Sequence, residues 1–229
     1  MFIEPLLHSP PPRDRAELIQ RVCGLAGNTL GQLADEYNFP VPEHLHANKG
    51  WQGQLLEAVL GTTASTQAEP DFKELSIELK TIPVNEQGHP VESTYVCTVP
   101  LTNNAGLSWE SSWVKRKLST VLWIPILVDK ASSISQRVVG QGLLWQPDQQ
   151  QFEQLKNDWE ELMDMVCLGQ LDQITAHHGQ ILQIRPKAAN ARALTNATDE
   201  NGHRQQTLPR GFYLRSQFTR ELLQQNFIL

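Results

Sequence analysis

Residues 69–84 read EPDFKELSIELKTIPV, and at this stretch the repeat of apolar side chains changes from a helical period to a period of two. Apolar and polar residues alternate over 75–82, which predicts a strand with one face toward the core. Glu78 and Lys80 lie two positions apart, so their side chains leave the same face of that strand. Asp71 precedes the strand and can return to meet them. The pattern leaves two alternatives, a solvated strand face or a site that binds a metal ion.

The two carboxylates in this stretch carry the chemistry of the second alternative. Asp71 and Glu78 supply the oxygen ligands that Mg²⁺ prefers, and a bound metal lowers the pKa of a water molecule and neutralises charge on a phosphate. Lys80 beside them can orient or deprotonate that water, or offset charge in the transition state. The spacing D-x6-E-x-K arises often by chance, so it does not decide between the alternatives. We expect Lys73 and Glu74 to be ordinary surface charges.

Helical and strand patterns follow one another along the whole chain. Helices are predicted over 15–27, 29–38, 50–61, 111–119, 148–171, 188–194 and 216–229. Besides 75–82, strands are predicted over 93–101, 120–128, 138–145, 181–187 and 211–215. This mixed order predicts an α/β or α+β fold, with a mixed β-sheet flanked by helices and two lobes on either side of a cleft.

Composition favours a globular chain without a membrane segment. Hydrophobic residues make up 40% and charged residues 19% of the 229 residues, and no apolar run approaches the roughly 20 residues that span a bilayer. The N-terminus lacks the pattern of a secretory signal, so we expect a cytoplasmic location. Cys23, Cys97 and Cys167 form no CxxC pair and are predicted to be small buried residues.

Charge is unevenly distributed along the chain. The formal net charge is −6, which argues against tight non-specific binding to nucleic acid. Residues 170–229 carry seven Lys and Arg against four Asp and Glu, a net +3, while the other 169 residues carry twelve against twenty-one, a net −9. The C-terminal part can therefore bind DNA locally, with weak binding overall.

Several further charged residues have both a functional and an ordinary interpretation. Glu57 borders the apolar stripe of a helix, where it either belongs to the metal site or extends to water. Lys49 precedes a helix N-terminus, which would attract phosphate. Lys117 closes the basic run 115–117, whose members diverge on a helix. Tyr213 lies among arginines and could meet a base or belong to the core. The pair His177–His178 has no third ligand at a suitable spacing and is not expected to bind metal.

Seven segments, in order, resemble the MutH family of DNA mismatch repair endonucleases, within the PD-(D/E)xK nuclease superfamily. They are NKGW (48–51), LLEAVLG (55–61), DFKELSIELKTIPV (71–84), KLSTVLWIP (117–125), DWEELMDMVCLGQ (158–170), ITAHHGQILQIRPKAANARALT (174–195) and LPRGFYLR (208–215). The resemblance implies a restriction-endonuclease-like core in one endonuclease domain, 1–229. A catalytic lobe would centre on 20–130, and a lobe for DNA recognition and partner binding on 135–229.

The activity implied by the resemblance is a Mg²⁺-dependent nick in the unmethylated strand at hemimethylated or unmethylated GATC sites. Asp71 and Glu78 match the family's metal ligands, with Mn²⁺ and Ca²⁺ as further ions for the same site, and Lys80 matches the lysine that handles the attacking water. Glu57 and Lys117 match an additional carboxylate and lysine of the active site. The spacing from the motif aspartate to Glu78 is tight, and no catalytic position is missing.

The resemblance also implies DNA contacts and protein partners. Lys49, Arg185 and Lys187 match positions that contact DNA, Tyr213 matches a position near the methylated adenine, and Tyr95 matches an aromatic position less securely. The family acts as a monomer that MutL activates and MutS directs, and we expect MutL to contact the helix over 148–165 or the C-terminal helix. The acidic residues expected on the first of these helices are Asp158, Glu160, Glu161 and Asp164.

Two other functions remain open. A GATC-specific restriction endonuclease would share the core but cut both strands without a partner, and the short chain with no second catalytic repeat argues against it. A non-catalytic reader of DNA methylation would not need Asp71, Glu78 and Lys80.

Overall fold

The computed structural model describes residues 6–42, 50–64, 69–129, 132–187 and 192–226. Within these ranges there are six α-helices: α1 (Arg15–Leu25), α2 (Leu30–Glu36), α3 (Trp51–Leu60), α4 (Trp113–Leu118), α5 (Gln149–Cys167) and α6 (Ser216–Asn226). The strands are β1 (Glu78–Val84), β2 (Thr94–Thr98), β3 (Val121–Leu127), β4 (Val138–Val139), β5 (Leu143–Trp145), β6 (Leu182–Pro186), β7 (Thr195–Thr198), β8 (Arg204–Thr207) and β9 (Arg210–Leu214). The predicted mixed α/β class is confirmed.

Two compact units divide the chain. The first holds residues up to 92, 120–146 and 223 onward, and the second holds 93–119 and 147–222. Segments of the two units alternate along the sequence. The assignment of a catalytic and a recognition role to separate lobes stays a prediction.

A mixed sheet forms the centre of the first unit. β1 and β3 run parallel, in a register that pairs Glu78 with Val121, and β4 and β5 pair antiparallel with β3. β3 is buried along residues 121–126, as its continuous apolar sequence predicted. Helix α3 packs against β1. Its predicted apolar face is buried: Trp51, Leu55, Leu56, Val59 and Leu60.

The second unit contains an antiparallel sheet in the order β2-β9-β6 and a separate hairpin, β7-β8. Helix α5 begins at an Asp148 cap, whose side chain accepts a hydrogen bond from the Gln151 backbone. The buried carboxylate of Asp158 on this helix accepts hydrogen bonds from the backbone N–H groups of residues 180, 181 and 182. Asp158 thereby fixes the chain where it enters β6.

Several local predictions were wrong. The first strand begins at Glu78, because residues 73–75 form a 3₁₀ turn, and the predicted strand over 138–145 is two short strands. The sequence did not predict the β7-β8 hairpin. Of the predicted helix over 188–194, residues 188–191 lie outside the described ranges and 192–194 are not helical.

Cys97 is buried as predicted, but Cys23 and Cys167 are exposed. Cys23 and Cys167 each follow a buried valine of their helix, Val22 and Val166, and fall on the exposed face. No helix in the described ranges is long and apolar enough to cross a membrane.

Candidate functional site

Asp71 lies beside the start of β1 because the chain folds back on itself between them. Phe72 and Ile77 exchange backbone hydrogen bonds of 2.9 and 3.2 Å, which closes a tight loop. Asp71 Oδ2 then accepts a hydrogen bond from the Leu79 N–H at 2.8 Å. The Asp71 carboxylate is thus held against the strand that begins with Glu78, as the sequence analysis expected.

Ser76 allows this loop to close. Its backbone φ is 55°, in the left-handed region that residues with a Cβ seldom adopt. Such conformations persist where the surrounding structure enforces them, and they are concentrated at functional sites. Lys73 and Glu74 in the same loop are exposed, as predicted.

Glu78 and Lys80 form an ion pair on one face of β1. Glu78 is 2% exposed, the Lys80 side chain is 14% exposed, and Lys80 Nζ contacts Glu78 Oε1. The Glu78 N–H is bonded to the Thr120 carbonyl at 3.0 Å. A carboxylate is costly to bury unless it is paired, so the alternative of a solvated strand face is wrong for Glu78.

Glu57 lies on α3, half-buried between the buried residues Leu56 and Ala58. The chain that leaves this helix is tied to the Asp71 segment, because the N–H groups of Thr63 and Ala64 donate to the Asp71 carbonyl at 2.8 and 3.2 Å. The helix that carries Glu57 and the loop that carries Asp71 are therefore fixed to each other. Membership of Glu57 in the active site stays a prediction.

Lys117 lies in the second unit, in the last turn of α4, and is 7% exposed. Arg116 is exposed, and Lys115 is half-buried and paired with Glu110. The basic run therefore diverges as predicted, and Lys117 is its buried member. Lysine is rarely buried without a compensating partner, which distinguishes Lys117 from an ordinary surface charge.

The donor set suits a magnesium ion that shares its coordination with water and substrate. Within the described residues, no group of three or more His, Cys, Asp or Glu is arranged to hold a metal. Asp71 and Glu78 supply two carboxylates. Mg²⁺ is commonly bound through one or two carboxylates together with waters and substrate phosphates, so the residues present fit this ion.

A second set of predicted residues meets on one face of the β2-β9-β6 sheet. Tyr95 of β2 and Gln183 of β6 both pair with Tyr213 of β9, so these three side chains share a face. The Tyr95 and Tyr213 rings meet edge to face, with centroids 5.4 Å apart. We call the surface formed by Tyr95, Tyr213, Arg185 and Lys187 the tyrosine face.

Two cations lie over these rings. Lys187 Nζ is 3.4 Å from the Tyr95 ring centroid, and Arg185 Cζ is 5.9 Å from that of Tyr213. The opposite face of the sheet is apolar, with Phe212 and Leu214 at most 1% exposed. The tyrosine face thus combines aromatic surface with positive charge, which suits contact with bases and phosphates.

Four of the five predicted DNA-contacting residues are brought together in this way. The fifth, Lys49, lies outside the described residues. Sequence reasoning did not find two neighbours of the cluster, Ser93 and Gly211. A glycine inside a strand often marks a close approach, and this signal was present in the RGFYL segment of β9.

The predicted partner surface on α5 needs a correction. Asp158 is buried and bonded to the backbone of residues 180–182, and Glu161 accepts a hydrogen bond from the Gly179 N–H at 3.0 Å. Asp158 is therefore not available to a partner. Glu160 and Asp164 are exposed and remain candidates.

The comparisons with known proteins agree on one family. Residues 60–158 match the family model described as the DNA mismatch repair enzyme MutH. The chain is 53% identical over 213 residues to the DNA mismatch repair protein MutH of Histophilus somni, which is 93% of this chain and 95% of the relative. It is 50% identical over 219 residues to that of Yersinia enterocolitica, 96% of each chain, and 49% identical over 228 residues to that of Serratia proteamaculans, 100% of this chain and 99% of the relative. The chain therefore belongs to the MutH family of DNA mismatch repair enzymes.

Proposed function

We propose that this protein is a mismatch repair endonuclease that uses Mg²⁺ to nick the unmethylated strand of hemimethylated or unmethylated GATC sites. The observation that carries the proposal is the return of Asp71 to β1, where its carboxylate accepts the Leu79 N–H beside the buried Glu78–Lys80 pair. A solvated strand has no need of this loop or of the buried carboxylate.

In the proposed mechanism Asp71 and Glu78 hold the metal ion. When bound, Mg²⁺ would activate water and neutralise negative charge on the phosphate. Lys80 is fixed by Glu78 and lies on the same strand face, so it can orient the attacking water or offset charge that develops on the phosphate. Glu57 is proposed as a further carboxylate of this site, and Lys117 is proposed as a further catalytic lysine on the strength of the family resemblance.

The tyrosine face is proposed to read the adenine of GATC. An N6-methyl group adds apolar bulk and removes one hydrogen-bond donor from the major-groove edge of adenine. Tyr95 and Tyr213 pack edge to face, so a methyl group that displaces one ring also displaces the other. Arg185 and Lys187 supply charge for the DNA backbone or for base edges, and Lys49 is proposed as an additional contact.

Activation by a partner is consistent with the charge of the chain. At a net charge of −6, binding through phosphate neutralisation is weak, and we propose that MutL, directed by MutS, recruits the monomer. Glu160 and Asp164 on α5, or helix α6, would form the contact. If α5 forms the contact, reversal of both α5 charges should reduce MutL-stimulated nicking and leave nicking without MutL unchanged. Unchanged MutL-stimulated nicking would exclude α5 and favour α6.

The experiment that tests the assigned chemistry compares two pairs of variants from the same stretch of sequence. Glu78→Ala and Lys80→Ala should abolish Mg²⁺-dependent nicking and leave GATC binding largely intact. Lys73→Ala and Glu74→Ala change exposed charges nearby and should nick like the parent protein. Nicking by a folded Glu78→Ala variant at the parent rate would exclude the proposed site, and cutting of both strands without a partner would favour a restriction endonuclease.

A further inference from the structure

Ser93 accepts hydrogen bonds from two residues at the tyrosine face. Its Oγ is 3.1 Å from Gln183 Nε2 and 3.2 Å from Arg185 Nη1. These donors extend from neighbouring positions on one face of β6, while Ser93 directly precedes β2. A single hydroxyl therefore ties the two outer strands of the sheet together, across the central strand β9.

The chemistry of the hydroxyl fits this arrangement. A serine oxygen has two lone pairs, and the amide and the guanidinium each donate to it. The guanidinium carries five N–H donors in a fixed plane, so one bond to Ser93 limits the directions in which the others can point. This bond acts together with the cation–π contact of Arg185 with Tyr213, in which Cζ lies 5.9 Å from the ring centroid.

The contact should matter more when DNA is bound. Arg185 is exposed, and in the free protein water competes for its donors, so the hydrogen bond contributes little to folding. A DNA duplex that covers the face would exclude this water. Preorganising a long side chain before binding reduces the entropy lost on association.

We propose that Ser93 is a positioning residue for DNA recognition, which holds the Arg185 guanidinium in its DNA-binding orientation against Tyr213. The inference rests on the proposed role of the tyrosine face. It assigns a role to a residue that acts through the side chain of Arg185. Its effect belongs to binding and not to the chemical step.

The experiment measures DNA binding and nicking for Ser93→Ala, Ser93→Thr, Arg185→Ala and the double variant Ser93→Ala/Arg185→Ala. Loss of one hydrogen bond of ordinary net strength predicts about a fivefold to tenfold rise in the Kd for a GATC duplex with Ser93→Ala. The nicking rate at saturating DNA should stay within about twofold. Ser93→Thr keeps the hydroxyl and should restore the affinity to within about twofold, as expected if the oxygen and not the side-chain volume is responsible.

The double variant is the decisive readout. If Ser93 acts through Arg185, the Ser93→Ala change has no further effect once Arg185 is alanine, because the two residues form one interaction. An equal loss of DNA affinity on Ser93→Ala in the parent protein and in the Arg185→Ala variant would overturn the proposal. Parent-like affinity of Ser93→Ala would overturn it as well. Parent-like binding of GATC DNA by Arg185→Ala would contradict the proposed role of the tyrosine face, and this inference with it. Weakened binding by Arg185→Ala beside parent-like binding by Ser93→Ala would contradict this inference alone.

Discussion

Gly211 provides the sharpest test of how the tyrosine face is built. It lies on β9 beneath the two tyrosine rings, and a Cβ placed there would be 2.9 Å from Tyr95 Cε2 and 3.0 Å from Tyr213 Cε2. Ordinary contacts of this kind begin at 3.4 Å. The Gly211→Ala variant must therefore displace the rings by about 0.5 and 0.4 Å, respectively.

This displacement should alter recognition more than folding. The backbone of Gly211 has no positive φ, so alanine adds no backbone strain, and the atoms that its Cβ would meet belong to side chains and not to the backbone. We expect a cost near the lower end of the range for added core volume, about 1 kcal/mol. The rings touch each other, so both must move. If the rings sense the methyl group, discrimination between unmethylated and methylated GATC should fall by about tenfold, equivalent to about 1.4 kcal/mol.

The assay is the ratio of Kd values for unmethylated and fully methylated GATC duplexes, with the thermal midpoint measured in parallel. Gly24→Ala is the matched control, because it adds a Cβ inside α1 with nothing within 4 Å. It should leave the ratio unchanged and raise the midpoint slightly, as expected for alanine in a helix. A Gly211→Ala protein with a lowered midpoint, as ring displacement requires, but with the parent ratio would refute the idea that ring position controls discrimination.

Two further predictions concern the framework around the sites. Asp158→Ala removes the acceptor of three backbone N–H groups and should lower the free energy of unfolding by about 3 kcal/mol or more in urea titrations. Glu160→Ala, on the exposed side of the same helix, should change the free energy of unfolding little. Equal effects of the two substitutions would contradict the anchoring role of Asp158. Hydrogen bonds from Arg13 lower the pKa of Glu17 to about 2 from 4.5, so Glu17 stabilises the fold above pH 4.5 and this contribution is lost as the pH falls toward 2. The difference in urea midpoint between the parent and Glu17→Gln should therefore be present at pH 7 and shrink between pH 4.5 and 2, and a difference independent of pH would exclude this linkage.

The sequence predicted strand β1 because its signal is local. Alternation placed Glu78 and Lys80 on one face, and the apolar run of β3 indicated a central strand. The burial of Glu78 was not predictable in this way, because it depends on the pairing of β1 with β3, more than 40 residues further along the chain. The loop that returns Asp71 depends on Ser76 in a conformation usually adopted by glycine, and the sequence gives no sign of it.

The tyrosine face shows the same limit at longer range. The family resemblance predicted Tyr95 and Tyr213 as two separate DNA-contacting positions. Their contact with each other requires strands β2 and β9 to pair across more than 100 residues of chain. The β7-β8 hairpin was missed because TNAT and RQQT lack apolar alternation. Its pairing is visible only in the folded chain.

The measurement that tests the account most directly uses a closed circular DNA with one GATC site, prepared unmethylated, hemimethylated and fully methylated. With Mg²⁺, and with and without MutL, the protein should convert the first two circles to the nicked form, cutting the unmethylated strand, and leave the third intact. MutL should increase the nicking rate without changing which circles are nicked. Equal nicking of all three circles, or linear DNA as the main product without MutL, would contradict the account.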